Sequence, residues 1–171
     1  MTDTDSLYPG DNSNNCSLTA LATIFEYHKN YGGCSSLPSG FTAIYKDIHT
    51  IAKDKGWWTS SGGTDPTYID DIATAMFKKY NYTNGRGNND YVLDWNVAKS
   101  QIDQGRPFVF NMANDYYANH SVCVFAYCAY KKSGKSDVCF LKVADGWSTG
   151  SRYIDWNQFV GFGSWTKVLP Y

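Results

Sequence analysis

No basic run or stripe interrupts this sequence, and its formal net charge is only −1. Nucleic acid is therefore not an expected partner. No apolar stretch approaches the ~20 residues of a membrane span. No secretory signal opens the chain, because Met1-Thr2-Asp3-Thr4-Asp5 is acidic and polar. That start fits the cut edge of a longer chain whose signal and pro-segment are not included. Cys-x-x-Cys pairs are absent, which argues against a zinc ribbon. His28, Cys34 and His49 have no metal-ligand spacing, so no metal and no cofactor is expected. There is no internal repeat, no low-complexity tract and no clear linker. Methionines number 3 against 14 tyrosines, 9 phenylalanines and 6 tryptophans, which predicts a stiff core and a groove lined by rings.

What remains is an ordinary globular composition, 43% hydrophobic and 18% charged over 171 residues. That length fits one domain, 1–171, able to bury a core without staples. The 5 cysteines are Cys16, Cys34, Cys123, Cys128 and Cys139, an odd number. In a secreted chain an odd cysteine is a candidate reactive thiol.

The chain is organised around Cys16. Asn14 and Asn15 are good N-cap residues, and Leu18, Leu21, Ala22 and Phe25 then follow at helical spacing. Ala20, Thr23 and Ile24 fill the flanks, so the helix is expected to be buried and to end near His28 or Lys29. A thiol at a helix mouth feels roughly half a positive charge, which favours thiolate. Cys16 is thus either a nucleophile or a buried structural thiol.

Further helices are predicted from Ser39 or Gly40 to Lys55, from Thr64-Asp65-Pro66 through Phe77, and from Asp94 to Gly105. The Trp57–Thr64 and Asn81–Asn89 stretches read as loops. Strands are expected over 108–112, 122–130, 138–144, 152–154 and 165–169, with a helical turn at 156–159. Helices fill about 11–105 and antiparallel strands about 106–171, an α+β order with helices on one side of a sheet.

A cysteine nucleophile needs a base, and the base an orienter. His28 lies roughly 18 Å down the helix from Cys16 at 1.5 Å per residue, out of reach. His49 reads as a surface residue. His120 begins an apolar strand after a polar aromatic loop, so it is either the base at a cleft or a rim histidine. Placing His120 opposite Asp145 sets Val122 against Val143 and Val124 against Leu141, a coherent register. Asp145 would then fix the imidazole tautomer, and Trp147 would cover the bond. In this register Cys128 and Cys139 share a face as diagonal neighbours, too far apart for a bridge. Five free thiols are predicted. Trp57, Trp58, Tyr116 and Tyr117 either line the substrate groove or pack internally, and Trp147 is a further groove candidate.

The segments Asn14–Ala22, Gly105–Val109, Asn119–Tyr127 and Val143–Trp147 together resemble a papain-like cysteine peptidase. Within that group the likeness is to the stand-alone bacterial relatives of bacteriocin leader peptidases. It spans about residues 8–165 and rests on the order and spacing of Cys16, His120 and Asp145, with helices first and sheet second. The resemblance implies an α+β, papain-like fold, its buried Cys-bearing helix packed on a C-terminal antiparallel sheet. It also implies a peptide or protein substrate and a triad working through an acyl-enzyme. A secreted or cell-surface bacterial home is expected, with the cytoplasm left open, and a monomer. Ser17 stands where the family has glycine or a similar small residue. The glutamine that usually precedes the cysteine is missing, so Asp11, Asn12, Asn15 or main-chain N–H groups must hold the oxyanion. An asparagine amide is the better donor, since an ionised aspartate cannot donate. Two alternatives stay open: an amidase or acyl transferase with the same triad, acting for instance on cell-wall peptide, and a catalytically silent binding module.

Overall fold

The structure, a computed structural model, describes residues 4–10, 14–114 and 117–171. Helix α1 runs over Cys16–Asn30 and is sunk in the molecule, with Leu18, Leu21, Ala22, Ile24 and Phe25 excluded from solvent. Each such large side chain contributes about 1.5–3 kcal/mol by leaving water. Helix α2 covers Phe41–Asp54 and helix α3 Ile69–Lys79. Ile69, Ile72, Ala73, Met76 and Phe77 form the buried stripe of α3, as their spacing predicts. A single 3-10 turn, Pro66–Tyr68, leads into α3 and is capped by Asp65, whose carboxylate accepts from the Thr67 N–H at 2.9 Å. Helix α4 covers Trp95–Asp103, with the Asp94 carboxylate accepting from the Asn96 N–H at 2.8 Å.

The strands are β1 (Trp58–Thr59), β2 (Gly63–Thr64), β3 (Arg86–Asp90), β4 (Phe108–Ala113), β5 (His120–Tyr130), β6 (Val138–Ala144), β7 (Arg152–Asp155) and β8 (Phe162–Leu169). β1 and β2 form a small hairpin. The other strands make one antiparallel sheet in the order β3-β8-β4-β5-β6-β7. The α+β class expected from the sequence is therefore present.

Several details differ from expectation. The 86–90 stretch is a strand, not a loop, and pairs Arg86 with Leu169 through Asp90 with Trp165. It has no apolar pattern of its own, and β8 supplies its hydrogen bonds. Gly87 lets it lie against α3, because a Cβ there would run into the Asp70 carbonyl. The sheet is also covered on both faces. Val109, Cys123 and Val168 pack with α1, α2 and α3. On the opposite face Phe108, Phe110, Val122, Val124, Leu141, Val143 and Trp165 form a second core with Ala98 of α4.

The β5–β6 register is shifted two residues from the expected one. Val124 pairs with Val143 and Cys123 with Ala144. A bulge at Phe125 then changes the phase, so Tyr127 meets Leu141 and Cys128 meets Phe140. One extra residue reverses which side each later residue faces. Cys128 and Cys139 consequently point to opposite faces rather than sharing one, and all five cysteines are free. His49 is not on the surface. It is buried at 2% exposure, stacked on Tyr8 with ring centroids 3.9 Å apart and set against Trp58 at 4.7 Å.

Candidate active site

Cys16 is the first residue of α1, and the two residues before it are pinned by the helical half. Asn14 sits at φ 58, a left-handed conformation that asparagine tolerates. Its amide donates to the Ser60 carbonyl at 2.8 Å, and its own carbonyl accepts from Trp58 Nε1 at 3.0 Å. Asn15 stands at the N-cap but makes no side-chain cap bond. Its amide instead donates to the Asp5 carboxylate at 2.9 Å. One of its two amide hydrogens is held by Asp5, and the Cys16 main-chain N–H opens the helix beside the thiol. Asp11 and Asn12, the other oxyanion candidates, lie outside the described residues, as does Tyr116 of the groove candidates.

His120 opens β5 and lines the same cleft as Cys16. Burial pushes the Cys16 thiol up. The bond and charge of His120, with bonds from the Ser121 main chain and the Ser17 side chain, outweigh that and hold it below the ordinary thiol range. Burial likewise pushes the His120 imidazole down. Its bonds to Cys16 and to the Asp145 main chain, and the charges of both residues, outweigh burial and leave it raised. The two shifts have opposite signs and favour a thiolate beside an imidazolium.

Asp145 meets His120 through its main chain. His120 Nε2 lies 2.7 Å from the Asp145 carbonyl oxygen, which leaves Nδ1 for the thiol. The Asp145 carboxylate, 2% exposed, turns the other way. Its Oδ1 accepts from the Trp147 and Ser148 N–H groups at 3.0 and 3.1 Å and from Ser148 Oγ at 3.3 Å. Its Oδ2 faces Arg152 Nε at 3.2 Å and the Tyr117 hydroxyl at 3.5 Å. The register shift explains this geometry. Continued past Ala144, it sets His120 against Trp147 instead of Asp145. The Trp147 indole accordingly lies over the imidazole at 4.2 Å between centroids, and Tyr117 stacks on it at 5.4 Å.

A cleft of about 710 Å³ opens at Cys16 and His120. One wall is the Gly62–Thr67 segment; the other is the ends of β4, β5 and β8, with Tyr91 and Phe162 at the rim. Of the groove candidates, Trp57, Trp58, Tyr117 and Trp147 are not part of its lining. Trp58 belongs to the helix-side core, and Trp57 stacks on Tyr68 at 6.0 Å. Among the described residues no cluster of side chains could hold a metal ion.

The cleft floor is a polar row to which sequence reasoning assigned nothing. Ser17 Oγ donates to Ser121 Oγ at 3.0 Å, and Ser121 Oγ to Asn111 Oδ1 at 2.8 Å. Asn111 Nδ2 donates to Ser164 Oγ at 3.2 Å and to Thr166 Oγ1 at 3.1 Å. An asparagine inside the apolar run Phe108-Val109-Phe110-Asn111-Met112 was the available signal.

The family model described as the Peptidase_C39 like family matches residues 3–168. No curated protein and no solved structure matches the chain. Among the described residues no helix is long and apolar enough to cross a membrane.

Proposed function

The chain belongs to the Peptidase C39-like family, and on that footing we propose that it hydrolyses peptide bonds by papain-like thiol chemistry. The observation that carries this reading is that Cys16, at the start of α1, and His120, at the start of β5, line the same cleft, where each shifts the other towards its charged form. The Cys16 thiolate attacks the scissile carbonyl carbon, forming a carbon–sulfur bond and an oxyanion. The Cys16 main-chain N–H supports that oxyanion, with the second amide hydrogen of Asn15 as the side-chain candidate beside it. The imidazolium of His120 gives its proton to the leaving nitrogen, the carbon–nitrogen bond breaks, and an acyl-enzyme remains. Water then attacks the thioester while His120 takes its proton. The acid is released and the thiolate–imidazolium pair returns.

In this reading the Asp145 carbonyl aligns the ring. The Asp145 carboxylate is a positioning group that holds the 145–148 turn, and with it Trp147, over the imidazole. The indole keeps water from the His120–Asp145 bond, as the rest of the ring stack does from the side of Tyr117.

The test is intact mass after treatment with a covalent thiol-protease inhibitor, followed by hydrolysis of a peptide library. Wild type should gain one inhibitor mass on Cys16, and Cys16→Ala should fold, gain none and cleave nothing. Turnover by Cys16→Ala would end the reading. Modification of Cys16 with amine release but no main-chain cleavage would move the assignment to an amidase or acyl transferase. Absence of any modification would point to a silent binding module.

A further inference from the structure

The polar floor of the cleft is a closed hydrogen-bond chain with one open end. Its donors run in a single direction, from Ser17 to Ser121 to Asn111. Both amide hydrogens of Asn111 are then spent, on Ser164 and Thr166. Thr166 Oγ1 donates onward to Asn89 Oδ1 at 2.6 Å, and Asn89 Nδ2 donates to the Pro66 carbonyl at 3.0 Å and to Asp70 at 2.9 Å. The chain thus passes beneath the cleft from the residue after the thiol to the opposite wall. Ser164 is the exception. Its oxygen accepts from Asn111, and its own hydrogen meets no acceptor among the described residues.

Burying this many polar groups is costly unless each is paired. Two residues further in along β4 and β5, Val109 and Cys123 fill the same face with apolar groups beside Thr166. Packing alone would be served by continuing them. The row at Ser121, Asn111 and Ser164 lies side by side across β5, β4 and β8, at the strand ends that line the cleft. With one lone pair taken by Asn111, the Ser164 hydroxyl keeps its hydrogen to donate to a group in the cleft.

We propose that this floor selects peptides carrying a neutral, hydrogen-bond-accepting side chain beside the scissile bond, with the Ser164 hydroxyl as the selecting donor. The proposal rests on the peptidase reading above. The side chain sits within a residue or two of the bond because the floor begins at Ser17 and Ser121, the neighbours of Cys16 and His120. It is neutral because the described lining holds no lysine or arginine, and its one carboxylate is Asp65. A substrate carboxylate set on this floor would be buried with no cation but the His120 imidazolium, whose charge is already matched by the Cys16 thiolate. An aliphatic side chain would strip solvent from Ser164 and return no bond.

The experiment uses the whole chain and internally quenched peptides randomised at the two positions on each side of the cleaved bond. The expected result is enrichment of Ser, Thr, Asn or Gln at one of these positions. Purified pairs differing only there should favour the polar member over alanine by about tenfold or more in kcat/KM, the worth of one well-made hydrogen bond. In Ser164→Ala that ratio should fall to within about threefold of one. If Ser164→Ala gives no soluble protein, S164C keeps the shape with a much weaker donor and should lower the ratio in the same direction. A wild-type preference for leucine, valine or aspartate at every position, or a polar preference that survives both variants, overturns the proposal. Cleavage of no peptide at all, with Cys16 still alkylated by iodoacetamide, overturns the peptidase reading and the proposal with it.

Discussion

The imidazole of His120 is aligned by the main-chain carbonyl of Asp145, 2.7 Å from Nε2, while the carboxylate of the same residue is spent on Trp147, Ser148 and Arg152. A backbone acceptor survives any substitution at that position. The side chain acts on the imidazole by charge and through the turn it holds.

Asp145→Asn should therefore keep part of the activity. The amide oxygen can still accept from the Trp147 and Ser148 N–H groups. The loss should stay within about tenfold, far from the ~10⁴-fold cost where a carboxylate directly fixes a histidine tautomer. The negative charge that helps to raise His120 is removed, so the alkaline limb of kcat/KM should move to lower pH. A loss near 10⁴ with an unmoved limb would mean that the carboxylate reaches the ring during turnover.

Thiol reactivity separates Cys16 from its partner. In wild type the alkylation rate of Cys16 should already be at its thiolate plateau below the ~8.5 of a free thiol. His120→Ala removes the bond and the charge that lower the thiol and leaves the burial that raises it. The midpoint of the alkylation curve should then rise to at least the free-thiol value. Superimposable curves would remove His120 from the site.

His28 should give the protein an acid-sensitive stability. Burial pushes its folded-state pKa down to about 4, with the Arg106 charge acting in the same direction and the nearby Val168 main chain opposing both. The unfolded chain takes up this proton near 6.5 and the folded one does not. Stability is thus complete above about pH 6.5 and falls as the pH drops towards about 4, by up to about 3 kcal/mol. Urea unfolding across that range should show the slope in wild type. His28→Leu should flatten it, and an unchanged slope would place the acid sensitivity elsewhere.

Gly87→Ala should cost stability and leave Cys16 alkylation unchanged. The added methyl would run into the Asp70 carbonyl, so β3 must move off α3. A loss of about 1–3 kcal/mol in thermal or urea unfolding is expected, as for other overpacked contacts. Wild-type stability would show that the strand can shift freely.

Periodicity made much of this protein legible. The stripes of α1, α2 and α3 repeat every three to four residues, and that repeat needs no tertiary information. Asp94 and Asp65 announced their caps for a similarly local reason. The places of Cys16 at a helix start and His120 at a strand start, with a helical half before a sheet half, were also legible, because the neighbours of each reveal the type of its element.

Non-local pairings were decided by the tertiary structure. β3 has the sequence Arg-Gly-Asn-Asn-Asp and becomes a strand only because β8 presents an edge and α3 a surface. His49 is buried by rings from Tyr8 and Trp58, neither of them on its own helix. The extra residue at Phe125 carries no distinctive composition, yet it sets which face every later residue of β5 occupies. The floor of the cleft joins Ser17, Ser121, Asn111 and Ser164 from a helix and three strands, so no window of sequence contains it. The group that aligns His120 is a carbonyl, which every residue possesses. Side-chain identity and spacing can be read along a chain, but which main-chain oxygen faces an imidazole depends on a register that only packing of the whole sheet determines.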